Sequence, residues 1–539
     1  MSSVEEQFRK IWMILAMLLL VFAAGGTFAA VKEAPTVSNS IIVLFKAATL
    51  PADASQRIQQ AGGKVVRAIN EVGIVIAAPG SANTTTLIQN LLKDSAVLDA
   101  DYDRIVDLIA PAQVATESYP VTPDDHFPHP FPFPPEPADW FYTDTAQMWS
   151  VKRVGAQGGG IPGGSSGAWD KTFGAGVKIA ILDTGISSEH PDVSGTVNGN
   201  PKVVFTKSEV NQLQFPSACD DGSPEDQVGH GTWTSSLAAG NIGGGLVIGV
   251  APEAQIMNIK VLQRMPSRMP PPKPFADNTL NRCLFGGGSG LFSWTLEGML
   301  DAVAHRADVI SMSLGGFFPR TAQGQTRLWS TFNRVANFVN SRGVIVFAAA
   351  GNAGLDLGRI QSYVELPAQA SNIIAVMATT NPDCVENLNP GATCATGPDG
   401  LAFYSDYGSN LHGLSAPGGS LPAFGAPFPT GYVRGACSPG KPGTVDGLPG
   451  PGTSFGCFNF FDSSGNPQTH RWYVQAIGTS AATPIAAGVA ALVKAANPTL
   501  SPAQIRTVLQ QTAQDLGKPG YDALFNFGLV DATAAVTAH

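Results

Sequence analysis

Apolar and polar positions fall into two successive patterns along this chain. From Asn39 to Ile109, strand-like runs at Ile41–Phe45, Lys64–Ile69 and Gly73–Ala78, and a last run closing near Leu108, are separated by helix-spaced stretches at Ala52–Ala61 and Thr84–Lys93. Strand, helix, strand, strand, helix, strand is the order of a small ferredoxin-like α+β module. Further on, β-branched runs at Val177–Leu182, Ala254–Val261, Val309–Leu314, Val344–Ala349 and Ile373–Val376 alternate with helical stretches at Ser293–His305 and Thr331–Ser341. That alternation predicts an α/β fold, a parallel sheet with helices on both faces.

Two segments interrupt the pattern. Ile11–Ala24 is nearly unbroken apolar chain followed by small residues through Ala30, which marks residues 1–30 as a secretory signal peptide with a cleavage point after Ala29. Glu5 and Glu6 offset Arg9 and Lys10, an atypical leader, and an uncleaved run would be long enough to stay as a single membrane anchor. The expected location is therefore secreted or extracellular, with membrane anchoring as the alternative. Residues 110–143 carry so much proline that neither helix nor sheet should propagate, which makes them a linker between the module at 39–109 and a large unit at 144–539.

Composition narrows the class. With 539 residues, 44% apolar and 14% charged, 60 glycines and 41 prolines, the chain reads as two or three loop-rich globular units. A net charge of −9 and the lack of any basic cluster exclude a nucleic-acid partner. The six cysteines show no metal-ligand spacing and read as disulfides of an exported protein, Cys384 with Cys394 and Cys437 with Cys457 being the local pairings.

The chemistry lies in three strings: LDTGISSEHPD around Asp183, QVGHGTWTSSLAAG around His230 and AIGTSAATP around Ser480. A serine hydroxyl is a weak nucleophile until an imidazole takes its proton and a buried carboxylate orients that imidazole. The order Asp, His, Ser with these extended motifs resembles the subtilisin-like serine proteases of the subtilase family. Residues 39–109 resemble that family's inhibitory propeptide in AGGKVVRAINEVGIVIA and DADYDRIVDL, and FNFGLVDATAAV resembles the end of its core. The resemblance implies an autoinhibited endopeptidase of subtilisin-like fold, with Asp183, His230 and Ser480 as triad and Asn352, in FAAAGN, completing the oxyanion hole. It implies protein or peptide substrates held between Gly288, Ser289, Gly290 and Ser313, Leu314, Gly315, with Ala350 and Gly351 walling the first specificity pocket. Glu365 then falls at the pocket's far end, either favouring a basic residue before the scissile bond (P1) or solvated as a loop glutamate. No cofactor is needed for this chemistry. Asp192 resembles a family calcium ligand, although the nearby loop 241–247 has Gly243 where an oxygen side chain would help, so structural calcium stays open.

Several features depart from the resemblance. Trp233, Thr234 and Ser235 follow HGT in place of a second histidine and small apolar residues, Ala481 stands where the family has methionine, and segments 263–286 and 419–474 are insertions near the cleft. The competing classes are a silent homologue that binds peptides without cutting them, and an esterase or transpeptidase using the same acyl chemistry.

Overall fold

The amino-terminal module forms as its periodicity predicts. Strands β1 (Thr36–Phe45), β2 (Gly63–Ile69), β3 (Ile74–Pro79) and β4 (Val97–Leu108) lie antiparallel in the order β4-β1-β3-β2, with α1 (Ala54–Gln60) and α2 (Thr84–Leu91) on one face. Asn83 caps α2 by accepting the Thr86 amide at 2.9 Å, as a short polar side chain does at a helix start. Alternate residues of β1 divide two cores. Ile41, Val43 and Phe45 pack with Ile58, Leu87 and Leu91 beneath the module's own helices, whereas Ile42 and Leu44 join the core of the larger unit.

The structure is a computed structural model describing residues 33–538 except 110–112, 115–137, 144–147, 162–163, 272, 274, 321–326, 381–398, 421–430, 439–456 and 462–466. The apolar leader, most of the proline-rich stretch and the Cys384–Cys394 pairing lie outside the described residues. Residues 34–539 form a single unit by their contacts.

The larger unit centres on seven parallel strands: β5 (Lys178–Asp183), β6 (Val203–Ser208), β7 (Gln255–Lys260), β9 (Val309–Met312), β11 (Ile345–Ala349), β13 (Ile373–Thr380) and β14 (Leu414–Pro417). Their spatial order is β6-β7-β5-β9-β11-β13-β14. Ile179 and Ile181 of β5 face α3 (His230–Ala239) and α6 (Thr479–Ala496), while Ala180 and Leu182 face α4 (Phe292–Ala304) and α5 (Arg327–Ser341). Burial on both faces explains why these strands read as continuous apolar runs without alternation. α6 is long and apolar enough to cross a membrane, but 83% of that span is buried, as in a core helix. Two antiparallel edges, β8 (Gly287–Leu291) and β10 (Leu314–Pro319), stand beside the carboxyl ends of the parallel strands, with β12 (Tyr363–Leu366) paired to β10.

The structure differs from the sequence expectation at the linker and the insertions. Trp140–Thr143 forms a helical turn with Phe141 and Tyr142 fully buried, because this aromatic run follows the last proline and has apolar area to bury. The described part of insertion 419–474 is a small sheet in which β16 (Pro467–Ile477) pairs β15 (Val433–Cys437) and Phe458–Phe461, pinned by the Cys437–Cys457 disulfide expected from sequence. It packs behind α3: a Cβ on Gly435 would stand 2.5 Å from the Trp233 ring, and the Ala436 amide donates to Ser236. Trp233 thus fits the base helix to this added sheet. A second disulfide, Cys219–Cys283, ties insertion 263–286 to the loop before His230.

Candidate active site

Each site residue occupies the end of an element. Asp183 closes β5, His230 opens α3 and Ser480 opens α6, where free N–H groups and the positive helix end are available. Gly231 is required there because a Cβ would lie 2.1 Å from the Gly185 carbonyl oxygen. His230 Nδ1 is 2.8 and 3.0 Å from the two Asp183 oxygens, and both side chains are buried. Asp183 also accepts the Thr184 amide at 2.7 Å and the Thr234 hydroxyl at 3.2 Å. A carboxylate held in this way fixes which imidazole nitrogen carries the proton and leaves Nε2 for proton transfer.

Asp226 was not singled out from sequence. Its buried carboxylate accepts Thr184 Oγ1 at 2.8 Å, the amides of Val228, Gly229 and Thr232 at 3.0, 2.8 and 2.9 Å, and Thr232 Oγ1 at 2.7 Å. It ties the Asp183 turn to the loop that delivers His230. The available signal was an acid just ahead of GHGT.

Ser480 Oγ donates to the Ile109 carbonyl oxygen at 2.7 Å. Pro484 lies inside α6 and has no N–H for the Ser480 carbonyl; Ser313 Oγ donates to that oxygen instead, at 3.1 Å. Asn352 accepts the Thr479 amide and hydroxyl, both at 2.9 Å, through Oδ1. Anchoring the amide oxygen leaves the NH2 on the opposite branch as a donor. β4 fills the groove between the two edges predicted to hold a peptide. Ser289, Gly290 and Leu291 of β8 pair Asp107, Val106 and Ile105, while Leu314 and Gly315 of β10 pair Leu108 and Asp107. The Ile109 amide donates to Ser313 O at 3.3 Å, and Ser289 Oγ to Asp107 at 2.5 Å. With the amino-terminal module in the groove, Glu365 is 3% exposed and not solvated.

Asp192 faces mainly hydrogen-bond donors, although its Oδ1 and the Oδ1 of Asn241 have no hydrogen-bond partner. Burial pushes its carboxyl up to about 7, and the groups aimed at it are donors: the Tyr473 hydroxyl and the amides of Gly245, Leu246 and Val247. Calcium requires six to eight oxygens. Here the loop expected to supply carbonyls turns its N–H groups inward, and the Tyr473 hydroxyl lies 3.0 Å from the Leu246 amide. Among the described residues no three His, Cys, Asp or Glu side chains are placed to hold a metal. Any effect of a calcium chelator on the melting temperature should therefore be the same in the wild type and in Asp192→Asn, since removing a bound ion lowers apparent stability. A chelator-dependent drop in the wild type that Asp192→Asn abolishes would contradict this account.

Comparisons with known proteins bear on the family and the fold. The profile of the subtilase family, Peptidase_S8, matches residues 174–528. Subtilisin NAT of Bacillus subtilis subsp. natto is 32% identical over 363 residues, 67% of this chain and 66% of that protein. Thermitase of Thermoactinomyces vulgaris is 30% identical over 273 residues, 50% of this chain and 78% of that protein. Among solved structures, fervidolysin from Fervidobacterium pennivorans, a keratinolytic enzyme related to subtilisin, aligns with TM-score 0.59 at 18% identity, covering 95% of this chain and 65% of that one. The epidermin leader peptide processing serine protease of Staphylococcus aureus aligns with TM-score 0.59 at 17% identity, covering 93% and 99%. At those identities the structures speak to the fold alone. With more than half its length matched by one family model, the chain belongs to the subtilase family.

Proposed function

We propose that this chain is the precursor of a secreted serine endopeptidase whose amino-terminal module, residues 39–109, is its own first substrate and then its inhibitor. The observation that carries this is the Ile109 carbonyl 2.7 Å from Ser480 Oγ at the end of a strand paired on both sides. Extended backbone held between two edges is how such a cleft grips any peptide, with side-chain pockets setting preference.

In the first step His230 Nε2 takes the Ser480 proton as Oγ attacks the Ile109 carbonyl carbon. The resulting oxyanion accepts hydrogen bonds from the Ser480 amide and the Asn352 NH2. His230 then protonates the Ala110 amine as the Ile109–Ala110 bond breaks. Water, activated by the same imidazole, releases the acyl group from Ser480. Disulfides at Cys219–Cys283 and Cys437–Cys457, together with the apolar leader, support export. The processing test is a prosegment fragment ending in Ile109 on intact-mass analysis, formed by the wild type and absent from Ser480→Ala.

After cleavage, the module stays bound through more than its last strand. Asp103 of β4 caps α4: its carboxylate accepts the Ser293 amide at 3.2 Å, the Ser293 hydroxyl at 2.6 Å and the module's own Ser40 hydroxyl at 3.1 Å. Arg67 of β2 pairs Glu297 at 2.9 Å. Burial pushes Asp103 up to about 6 in the complex, from an ordinary value near 4 once the module is free in water. The complex therefore holds this proton more tightly than the separated parts do. Prosegment affinity should be greatest below about pH 4, fall as pH rises to about 6, and level off above that as far as this group is concerned. The fall amounts to at most about 100-fold for a two-unit shift. Inhibition constants of wild-type and Asp103→Asn prosegments between pH 4 and 7 check this: the wild type should weaken relative to the variant as pH rises to about 6 and run parallel to it above that, and parallel profiles throughout would contradict it.

A further inference from the structure

The proposed reaction leaves one buried acid without a task. Glu365 on β12 stands opposite Phe317 of β10, close to Gly315 and the Ile109 side chain, where the first specificity pocket is expected. A Cβ on Gly315 would lie 2.6 Å from Glu365 Oε1 and 3.3 Å from Ile109 Cδ1, so the carboxyl and the tip of the isoleucine flank the same bare glycine face. Glu365 is 3% exposed, and its Oε2 has no hydrogen-bond partner. Its amide is held by the Gln369 side-chain oxygen at 2.7 Å, which fixes the backbone while leaving the acid group unpaired.

A second carboxylate lies behind the neighbouring wall. Asp406 Oδ1 accepts the amides of Ala353 at 3.0 Å and Leu355 at 2.7 Å, directly after Asn352. Its Oδ2 would lie 2.1 Å from a Cβ on Gly351, which explains why that wall position is glycine. Burial drives the Glu365 carboxyl well above the ordinary range, and the nearby Asp406 carboxylate pushes in the same direction. A desolvated acid without a cation is held neutral, and a cation brought beside it favours the charged form. No lysine or arginine of the described residues forms an ion pair with either carboxylate. On the same bare face of Gly315, Ile109 ends in a methyl group.

We propose that Glu365 is the specificity-determining residue of this pocket and that the protease cuts after lysine or arginine, whose cation supplies the missing partner. This rests on the proteolytic function proposed above and names its substrate class. A lysine or arginine side chain in the place of Ile109 continues beyond Cδ1 towards the carboxyl. The prosegment is not an exception to the preference. Its scissile bond is intramolecular and held by strand pairing on two edges, so cleavage needs no help from the pocket. Its isoleucine leaves Glu365 unpaired, which makes the cleaved prosegment a product that the pocket does not hold by charge.

The test uses the processed enzyme and matched peptides carrying Val106–Leu108 before a varied P1 residue: Arg, Lys, Ile or Phe. A charge-assisted contact of this kind is worth about 10- to 100-fold in kcat/KM. The expected result is that Arg and Lys peptides exceed Phe and Ile by that factor, and that Glu365→Gln lowers the Arg-to-Phe ratio by a similar factor. Equal turnover of Arg and Phe by wild type, or an unchanged ratio in Glu365→Gln, overturns the proposal. Should Glu365→Gln fail to fold, binding to the wild-type protease decides: prosegment carrying Ile109→Arg should inhibit about tenfold more tightly than the natural one, and equal inhibition overturns the proposal. An enzyme that binds both prosegments but cuts no peptide indicts the catalytic assignment and not the pocket, because the prosegment comparison reads the pocket without chemistry.

Discussion

Ser480→Ala is expected to leave the precursor uncut at Ile109 and to lower turnover of any peptide by about 10⁶-fold, the loss known for the equivalent change in subtilisin of the same family. Ser480 Oγ is the group within hydrogen-bond reach of the Ile109 carbonyl. Alanine removes that oxygen while preserving the helix, since Ala481 and Ala482 already show that this end of α6 accepts methyl side chains in a fully buried setting. The variant should therefore fold, bind its prosegment and accumulate as a full-length chain, visible as a single species by mass. His230 and the oxyanion donors would remain, so a residual rate above the uncatalysed one is expected, and adding His230→Ala should cost little more. Residues that act as one unit are not additive in this way by accident: without the nucleophile, the base has no proton to take.

Asn352→Ala is expected to lower kcat by about 100- to 1,000-fold with KM little changed, again the magnitude known for the subtilisin asparagine in this role. The geometry gives the reason. Thr479 holds the amide oxygen twice at 2.9 Å, and Asp406 holds the following loop through the Ala353 and Leu355 amides. The donor is fixed before the substrate arrives, so it gains most when the carbonyl oxygen takes up charge. Steady-state kinetics on one peptide separate this from a structural effect: a rise in KM with unchanged kcat would show that Asn352 only binds the ground state. Asp406→Asn should reproduce part of the kcat loss, because it loosens the same loop without touching the donor.

Much of this was legible in the sequence because it depended on local pattern. Both faces of the parallel strands are buried, so Val177–Leu182 and its counterparts stood out as unbroken runs, and each of the triad strings sits at an element end where glycines and small residues mark a tight turn. Other features were not legible because they arise from packing across distant segments. Nothing in HPD or NIGGGLV announces that Tyr473, more than two hundred residues later in the chain, delivers its hydroxyl to Asp192. Nor does GTWTS reveal that Trp233 faces a glycine of the inserted sheet. Glu365 is the intermediate case. Its position relative to the pocket was countable, but whether water reaches it was decided by Gly315, β10 and the prosegment lying over it.

The central claim is that Ser480 is an activated nucleophile once the prosegment leaves. Its most direct test is treatment of the processed wild type and of Ser480→Ala with a serine-directed fluorophosphonate, followed by mass mapping of the adduct. One adduct, on the wild-type peptide containing Ser480 and absent from the variant, is the predicted result. An unlabelled wild type, or the same adduct on both proteins, would contradict it.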